Sequence, residues 1–224
     1  MIYEIRVMRV EKEWTCNIPE GKTTCFIKRL LLKLKERDFE LDDNKDVLAV
    51  YFKEESNKCF LTAYCNQKWV AEHIVNVPEN ILKSLDKNPA VIADKLEEIL
   101  SIYATEKCTA DMIHAWVKDA LNNGDCMESV LQERKYYKRK AVLSVRYLDS
   151  GMYLPILRVY DTDNKLVLQE MLPCTKYLSV LDVMEFKNGC VTIRSKKKAL
   201  MQQTLTVECK DLFKRRRKNM HDQI

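Results

Sequence analysis

Apolar residues alternate with polar ones at the start of the chain, fall at helical spacing through its middle, and return to a period of two from Ala141 onward. The opening "MIYEIRVMRV" predicts a first strand with Ile5, Val7 and Tyr3 on one face. Beyond Pro19 and Gly21, Thr24 is placed to cap a helix whose Phe26, Ile27, Leu30, Leu31 and Leu34 repeat at helical spacing. Lys28, Arg29, Lys33 and Arg37 form the opposite face, which is expected to be solvated. Strands near 47–53 and 59–65, joined by "KEESNK", predict a hairpin, and a third extended piece covers 69–75.

Asn88-Pro89 signals a helix start, because proline fits the first helical position without losing a needed donor. Val91, Ile92, Leu96, Ile99, Leu100 and Tyr103 make its buried stripe. Thr109 caps a second helix carrying Ile113, Trp116, Val117, Ala120 and Leu121, and "NNG" ends it. Asp125 with Glu128 reads as a capping box that starts a third helix, running to Arg139.

Six strands follow, near 141–148, 152–160, 165–171, 177–186, 190–194 and 200–208. Asn188-Gly189 is the sharpest turn signal among them, since both central residues of a type I′ turn take positive φ. Short connections make an antiparallel meander the economical topology. Leu178, Val180, Leu181, Val183 and Met184 put apolar residues on both faces of the fourth strand, so the central helices are expected to cover this sheet. The predicted fold class is α+β: an N-terminal strand–helix–hairpin unit, central helices and a C-terminal antiparallel β-meander. The natural divisions are 1–76, 77–140 and 141–209, followed by a basic tail at 210–224. No Pro/Gly/Ser linker separates them, which also allows one continuous domain.

Composition removes several function classes. The 224 residues are 46% hydrophobic, enough for a packed core, and no apolar run approaches a membrane span. Glu4, Arg6 and Arg9 interrupt the first ten residues, so no signal-peptide core is present there and a cytoplasmic, non-membrane protein is expected. The nine cysteines lie too far apart in sequence to form the short knuckle of a zinc site, and only three histidines exist to complete one. Four scattered glycines cannot build a phosphate-cradling loop. No cofactor or metal is expected.

Charge layout changes the picture most. Residues 1–133 hold 18 Lys+Arg against 24 Asp+Glu, a balance of −6. Residues 134–224 hold 20 against 9, a balance of +11, and the two give the overall +5. Three basic clusters dominate the second part: "RKYYKRK" at 134–140, "RSKKK" at 194–198 and "KRRRK" at 214–218. In a six-strand meander the first cluster enters the first strand at the same end from which the last strand leaves. "SKKK" falls at the other end.

The candidate site is therefore Arg134, Lys135, Tyr136, Tyr137, Lys138, Arg139 and Lys140, together with Lys214, Arg215, Arg216, Arg217 and Lys218. Cations would neutralise phosphates while phenol rings stack on bases, the chemistry of single-stranded RNA or DNA binding. An acidic protein surface is the alternative partner, as for a phage or mobile-element factor acting on a host nucleoprotein. The acidic stretch Glu36, Asp38, Glu40, Asp42, Asp43 and Asp46 favours that alternative.

The helices expected at 109–121 and 125–139 are ordered like a helix-turn-helix, but Asp125 and Glu128 would face phosphates there. Catalytic signals are weak. Asp111 with His114, or Glu72 beside His73, could make an acid–histidine pair, and a hydrolase or nuclease stands third among the readings. No catalytic residue is assigned. Trp14 and Trp69 are expected in the core.

Overall fold

A computed structural model describes residues 1–11, 14–42, 44–57, 67–136, 138–187, 190–197 and 202–209. The chain divides into two compact units. Unit 1 comprises Met1–Ser129 and Arg146–Gly151, and unit 2 comprises Val130–Val145 and Met152–Ile224. Among the described residues, no helix is long and apolar enough to cross a membrane.

Unit 1 is built on strands β1 (Glu4–Glu11), β2 (Trp14–Asn17), β3 (Val47–Glu54) and β4 (Val70–Val77), in the order β2-β1-β3-β4. β1, β3 and β4 run parallel, and β2 folds back antiparallel on β1. The run Val47 to Phe52 is buried at every position, as expected for a central parallel strand covered on both faces. Leu48, Val50 and Phe52 join Ile5 and Val7 in the main core, while Val47, Ala49 and Tyr51 cluster with Val10 and Val70 on the other face. The expected hairpin partner at 59–65 lies outside the described residues. Both edges of β3 are paired in parallel, to β1 and β4.

Helices α1 (Lys22–Glu36), α2 (Glu79–Leu82), α3 (Pro89–Ile102) and α4 (Ala110–Asn122) complete unit 1. Phe26, Leu30 and Leu34 of α1, Ile92, Leu96 and Leu100 of α3, and Ile113 and Trp116 of α4 share the main core. Pro89 opens α3, and the Thr109 hydroxyl accepts from the Met112 N–H at 3.3 Å to cap α4, as the sequence predicts. Helix α1 starts two residues before the expected Thr24 cap. The Thr24 hydroxyl instead donates to the Pro19 carbonyl, and that of buried Thr23 donates to Leu85 at 2.8 Å.

The third central helix is absent. After α4 a single 3-10 turn, Gly124–Cys126, leads into strand β5 (Glu128–Tyr136). The expected capping carboxylate is engaged elsewhere: Asp125 Oδ1 accepts from Arg29 Nη2 at 2.6 Å and from the Asp149 N–H at 2.7 Å. Gly124 at φ 48° sets the turn in the left-handed region where glycine is unstrained. Met127, Val130 and Leu131 satisfy helical spacing by accident, and the helix-turn-helix arrangement disappears with the helix.

β5 is followed by β6 (Arg139–Tyr147), β7 (Tyr153–Tyr160) and β8 (Leu166–Met171), which form a sheet in sequence order. A second sheet holds β9 (Val183–Lys187), β10 (Cys190–Arg194) and β11 (Thr204–Glu208), antiparallel in the order β11-β10-β9. The α+β architecture and the C-terminal antiparallel strands thus stand, but the single six-strand meander is two sheets. The break falls at Leu178–Leu181, a 3-10 turn with Val180 and Leu181 buried. Its apolar residues on both faces reflect that turn and not a strand under helices. Helices α3 and α4 belong to the core of unit 1.

Candidate nucleic-acid interface

The first basic cluster occupies the tip of the β5–β6 hairpin in unit 2. Arg134, Lys135 and Tyr136 close β5 and are exposed, as is Lys138 in the turn. Arg139 and Lys140, at the start of β6, are half-buried. Tyr137 lies outside the described residues, as do Lys214, Arg215, Arg216, Arg217 and Lys218.

Strand alternation puts Gln132, Arg134 and Tyr136 on one face of β5 and Lys135 on the other. That first face runs beside β9. The Gln132 amide donates to the Leu181 carbonyl at 2.7 Å, and its Oε1 accepts from the Met184 N–H at 3.2 Å. Further along, the Tyr136 ring stacks on Phe186 with centroids 5.1 Å apart and planes 14° from parallel. Tyr136 nevertheless keeps 40% of its surface exposed.

The opposite flank of the tip meets the β7–β8 turn. Arg139 lies 4.0 Å from the Asp161 carboxylate, and the Lys140 ammonium sits 5.4 Å over the Tyr160 ring. Asp161 fixes that turn by accepting from the N–H groups of Asp163 and Lys165, with Asn164 at φ 56°. Phe186, Val191 and Val207 form one row across the second sheet, and Lys187, Cys190 and Glu208 form the next. β11 therefore ends about 10 Å from Phe186, two strand spacings away. The turn after β10, which holds Lys196 and Lys197, lies at the other end of that sheet.

The electrostatics differ from residue to residue. Among the described residues, Arg134, Lys135 and Lys138 enter no ion pair; Arg134 donates only to the neighbouring Glu133 carbonyl, at 3.2 Å. Arg194 is held by Glu185 at 2.7 Å. Unit 2 as a whole carries 19 Lys+Arg against 9 Asp+Glu, a balance of +10; unit 1 carries 19 against 24, a balance of −5.

The other candidates do not assemble into sites. His114 Nδ1 pairs with Glu97 Oε1 of α3 at 2.7 Å, not with Asp111. His73 and Glu72 point to opposite faces of β4: His73 Nε2 meets the Tyr103 hydroxyl at 2.7 Å, while Glu72 accepts from Tyr51. Burial holds the His73 pKa below its ordinary value, with Lys45 adding to the effect. Seven described cysteines are free thiols, and no group of three or more His, Cys, Asp or Glu able to hold a metal occurs among the described residues. In the acidic stretch, Glu36 pairs with Lys33, Glu40 with the N-terminus and Asp42 with Lys45, while Asp43 lies outside the described residues. Trp14 and Trp69 are surface residues and not core, at 72% and 40% exposure, and Arg6 lies 5.6 Å over the Trp69 ring. Both stand beside strand ends, where a large ring has no facing layer.

The sequence also assigned Arg29 to a solvated face, and the structure overturns this. Arg29 is 5% exposed; its Nε donates to the Tyr147 carbonyl at 2.9 Å and its Nη2 to Asp125 and Asp149, each at 2.6 Å. Neighbouring Cys25 has its thiol pKa pushed up by burial in the same place. One signal was available: an arginine in a lysine-rich chain, four residues after Cys25 and three before Leu32, where a planar fork suits two carboxylates. Compared with known protein families, with curated proteins and with solved structures, the chain matches none.

Proposed function

We propose that this protein binds single-stranded RNA or DNA in the cytoplasm, without catalysis, through the tip of unit 2. The observation that carries this is a set of exposed cations, Arg134, Lys135 and Lys138, that enter no ion pair among the described residues, at the hairpin tip that also bears the Tyr136–Phe186 stack. A cation without a carboxylate partner loses nothing when a phosphate approaches, and each phosphate neutralised releases condensed counterions. The partly exposed Tyr136 offers a ring to an unstacked base, held in place by Phe186. Lys214, Arg215, Arg216, Arg217 and Lys218 add five positive charges to the chain that continues from β11.

Single strands suit this surface better than a duplex groove. A β-ribbon that enters the major groove must stand clear of its own fold. This hairpin is tied along β9 through Gln132 and Tyr136, and to the β7–β8 turn through Arg139. Its rings can meet bases only where bases are already unpaired.

The test is a titration of labelled single-stranded RNA, single-stranded DNA and duplex, at several salt concentrations, with the full chain and with a chain ending at Phe213. Affinity for single strands should fall as a power of salt concentration, with a smaller exponent in the truncated chain. Absence of binding at low salt would discard the proposal. The search would then move to an acidic protein partner, whose interface responds less steeply to salt.

A further inference from the structure

The described cations of the tip fall into two groups. Arg134, Lys135 and Lys138 enter no ion pair among the described residues. Arg139 and Lys140 instead face the β7–β8 turn, which offers them a carboxylate and a ring. Asp161 Oδ2 lies 4.0 Å from Arg139 Nη1, and the Tyr160 ring lies 5.4 Å from the Lys140 ammonium. A nucleotide brings the same two groups, an anion and a flat ring. All four side chains are half-buried. Asp161 uses its two oxygens differently. Oδ1 accepts from the N–H groups of Asp163 at 3.0 Å and Lys165 at 2.9 Å and so fixes the turn, while Oδ2 faces Arg139. Asp163, two residues on, carries the same charge but is exposed, and its carboxylate enters no ion pair among the described residues.

We propose, on the single-strand reading of the tip, that Asp161 is a positioning residue that sets the path of the bound strand. Its carboxylate stands beside Arg139 in the place a phosphate would take. A phosphate approaching Arg139 must displace this carboxylate and then remain next to it, and in a half-buried setting water screens that repulsion only in part. The β9 flank carries no such obstacle. Glu185 there is already neutralised by Arg194 at 2.7 Å, and strand alternation puts Glu133 on the face of β5 away from Arg134 and Tyr136. The strand therefore runs over Arg134, Lys135 and Lys138 and past Tyr136, and the tip meets about three phosphates, one for each of these cations. Arg139 serves the turn in the native chain and becomes a phosphate contact when Asp161 loses its charge.

Titration of a labelled oligothymidylate at several salt concentrations, with the full native chain, Asp161→Asn and Asp163→Asn, tests this. Asparagine keeps the Oδ1 acceptor of the turn and replaces only the oxygen that faces Arg139. Asp163→Asn removes the same charge from the same turn without touching Arg139, so it reports the general field of the turn. Asp161→Asn should raise the salt exponent by about 0.7, one further phosphate on a single strand, and tighten binding about threefold to tenfold at low salt. Asp163→Asn should leave the exponent unchanged and the affinity within about twofold. Should Asp161→Asn not fold, the native background gives the answer as a loss: Arg139→Gln should leave the exponent unchanged, and Arg134→Gln should lower it by about 0.7. An unchanged exponent in folded Asp161→Asn, equal tightening in both turn variants, or equal losses in Arg139→Gln and Arg134→Gln would each overturn the proposal while single-strand binding by the native chain stands. Absence of binding by the native chain at low salt would overturn the single-strand reading and this inference with it.

Discussion

Arg29 in unit 1 and Arg134 in unit 2 sit in sequences that look alike: each has a basic residue beside it and apolar residues nearby. Their surroundings are opposite. Arg29 is buried, and its Nε and Nη2 donate to three acceptors from the 124–129 and 146–151 stretches. Among the described residues, exposed Arg134 bonds only to the carbonyl before it. A guanidinium that satisfies two carboxylates and a carbonyl has little left to offer a ligand, so Arg29 serves the fold. A guanidinium with no carboxylate partner contributes little to stability, so Arg134 is available to an anion. The same contrast holds between the units, one with a balance of −5 and the other of +10.

Breaking the Arg29 side should have the largest effect. Arg29→Met would remove the Arg29 donor from the Tyr147 carbonyl and leave Asp125 and Asp149 side by side without this cation. Because water reaches both carboxylates, the cost should be about 2–4 kcal/mol, below that of a fully buried pair. Urea unfolding measures it. Arg29→Lys should recover only part, since an ammonium cannot bridge the same three acceptors in one plane.

The tip should respond in the reverse sense. Replacing Arg134, Lys135 and Lys138 together by Ala should move the urea midpoint by an amount equivalent to about 0.5 kcal/mol or less per site. The same change should weaken single-strand binding by about tenfold or more at low salt. A smaller loss, about fivefold to tenfold, is expected for Tyr136→Ala, because Phe186 already covers one face of the ring. Tyr136→Phe should bind nearly as the native chain does, since stacking needs the ring and not the hydroxyl.

The smallest effect concerns pH and confines itself to unit 1. His73 is a base whose folded pKa lies below its unfolded value of about 6.5. Its contribution is fully present above that value and is lost as pH falls toward the folded pKa, because the unfolded chain then binds the proton more readily. Stability should decline on acidification below about pH 6.5 in the native chain, and less in His73→Gln. Equal slopes in urea unfolding across pH would show that His73 is not the group responsible.

Much of the fold was legible because local signals and tertiary demands agreed. Pro89 and Thr109 marked helices α3 and α4, and the alternation from Ala141 marked β6 to β8. What failed was local ambiguity resolved at a distance. Met127, Val130 and Leu131 fit a helix and a strand equally, and the choice fell to Asp125, which Arg29 draws away from any capping role. Parallel pairing joins β1 to β3 across 43 positions and β3 to β4 across 23; its only local trace was the unbroken apolar run in β3. The basic tip was found from composition, yet its shape was not. Stacking of Tyr136 on Phe186 spans fifty residues of sequence. No spacing rule within 134–140 encodes it.

The most direct test is the salt exponent for single-strand binding, measured side by side for the native chain and the Arg134/Lys135/Lys138→Ala variant. The expected result is a drop in exponent of about 2, since each phosphate contact on a single strand contributes about 0.7. An unchanged exponent in a folded variant would mean that the cations without ion pairs at this tip are not the ones that meet phosphate.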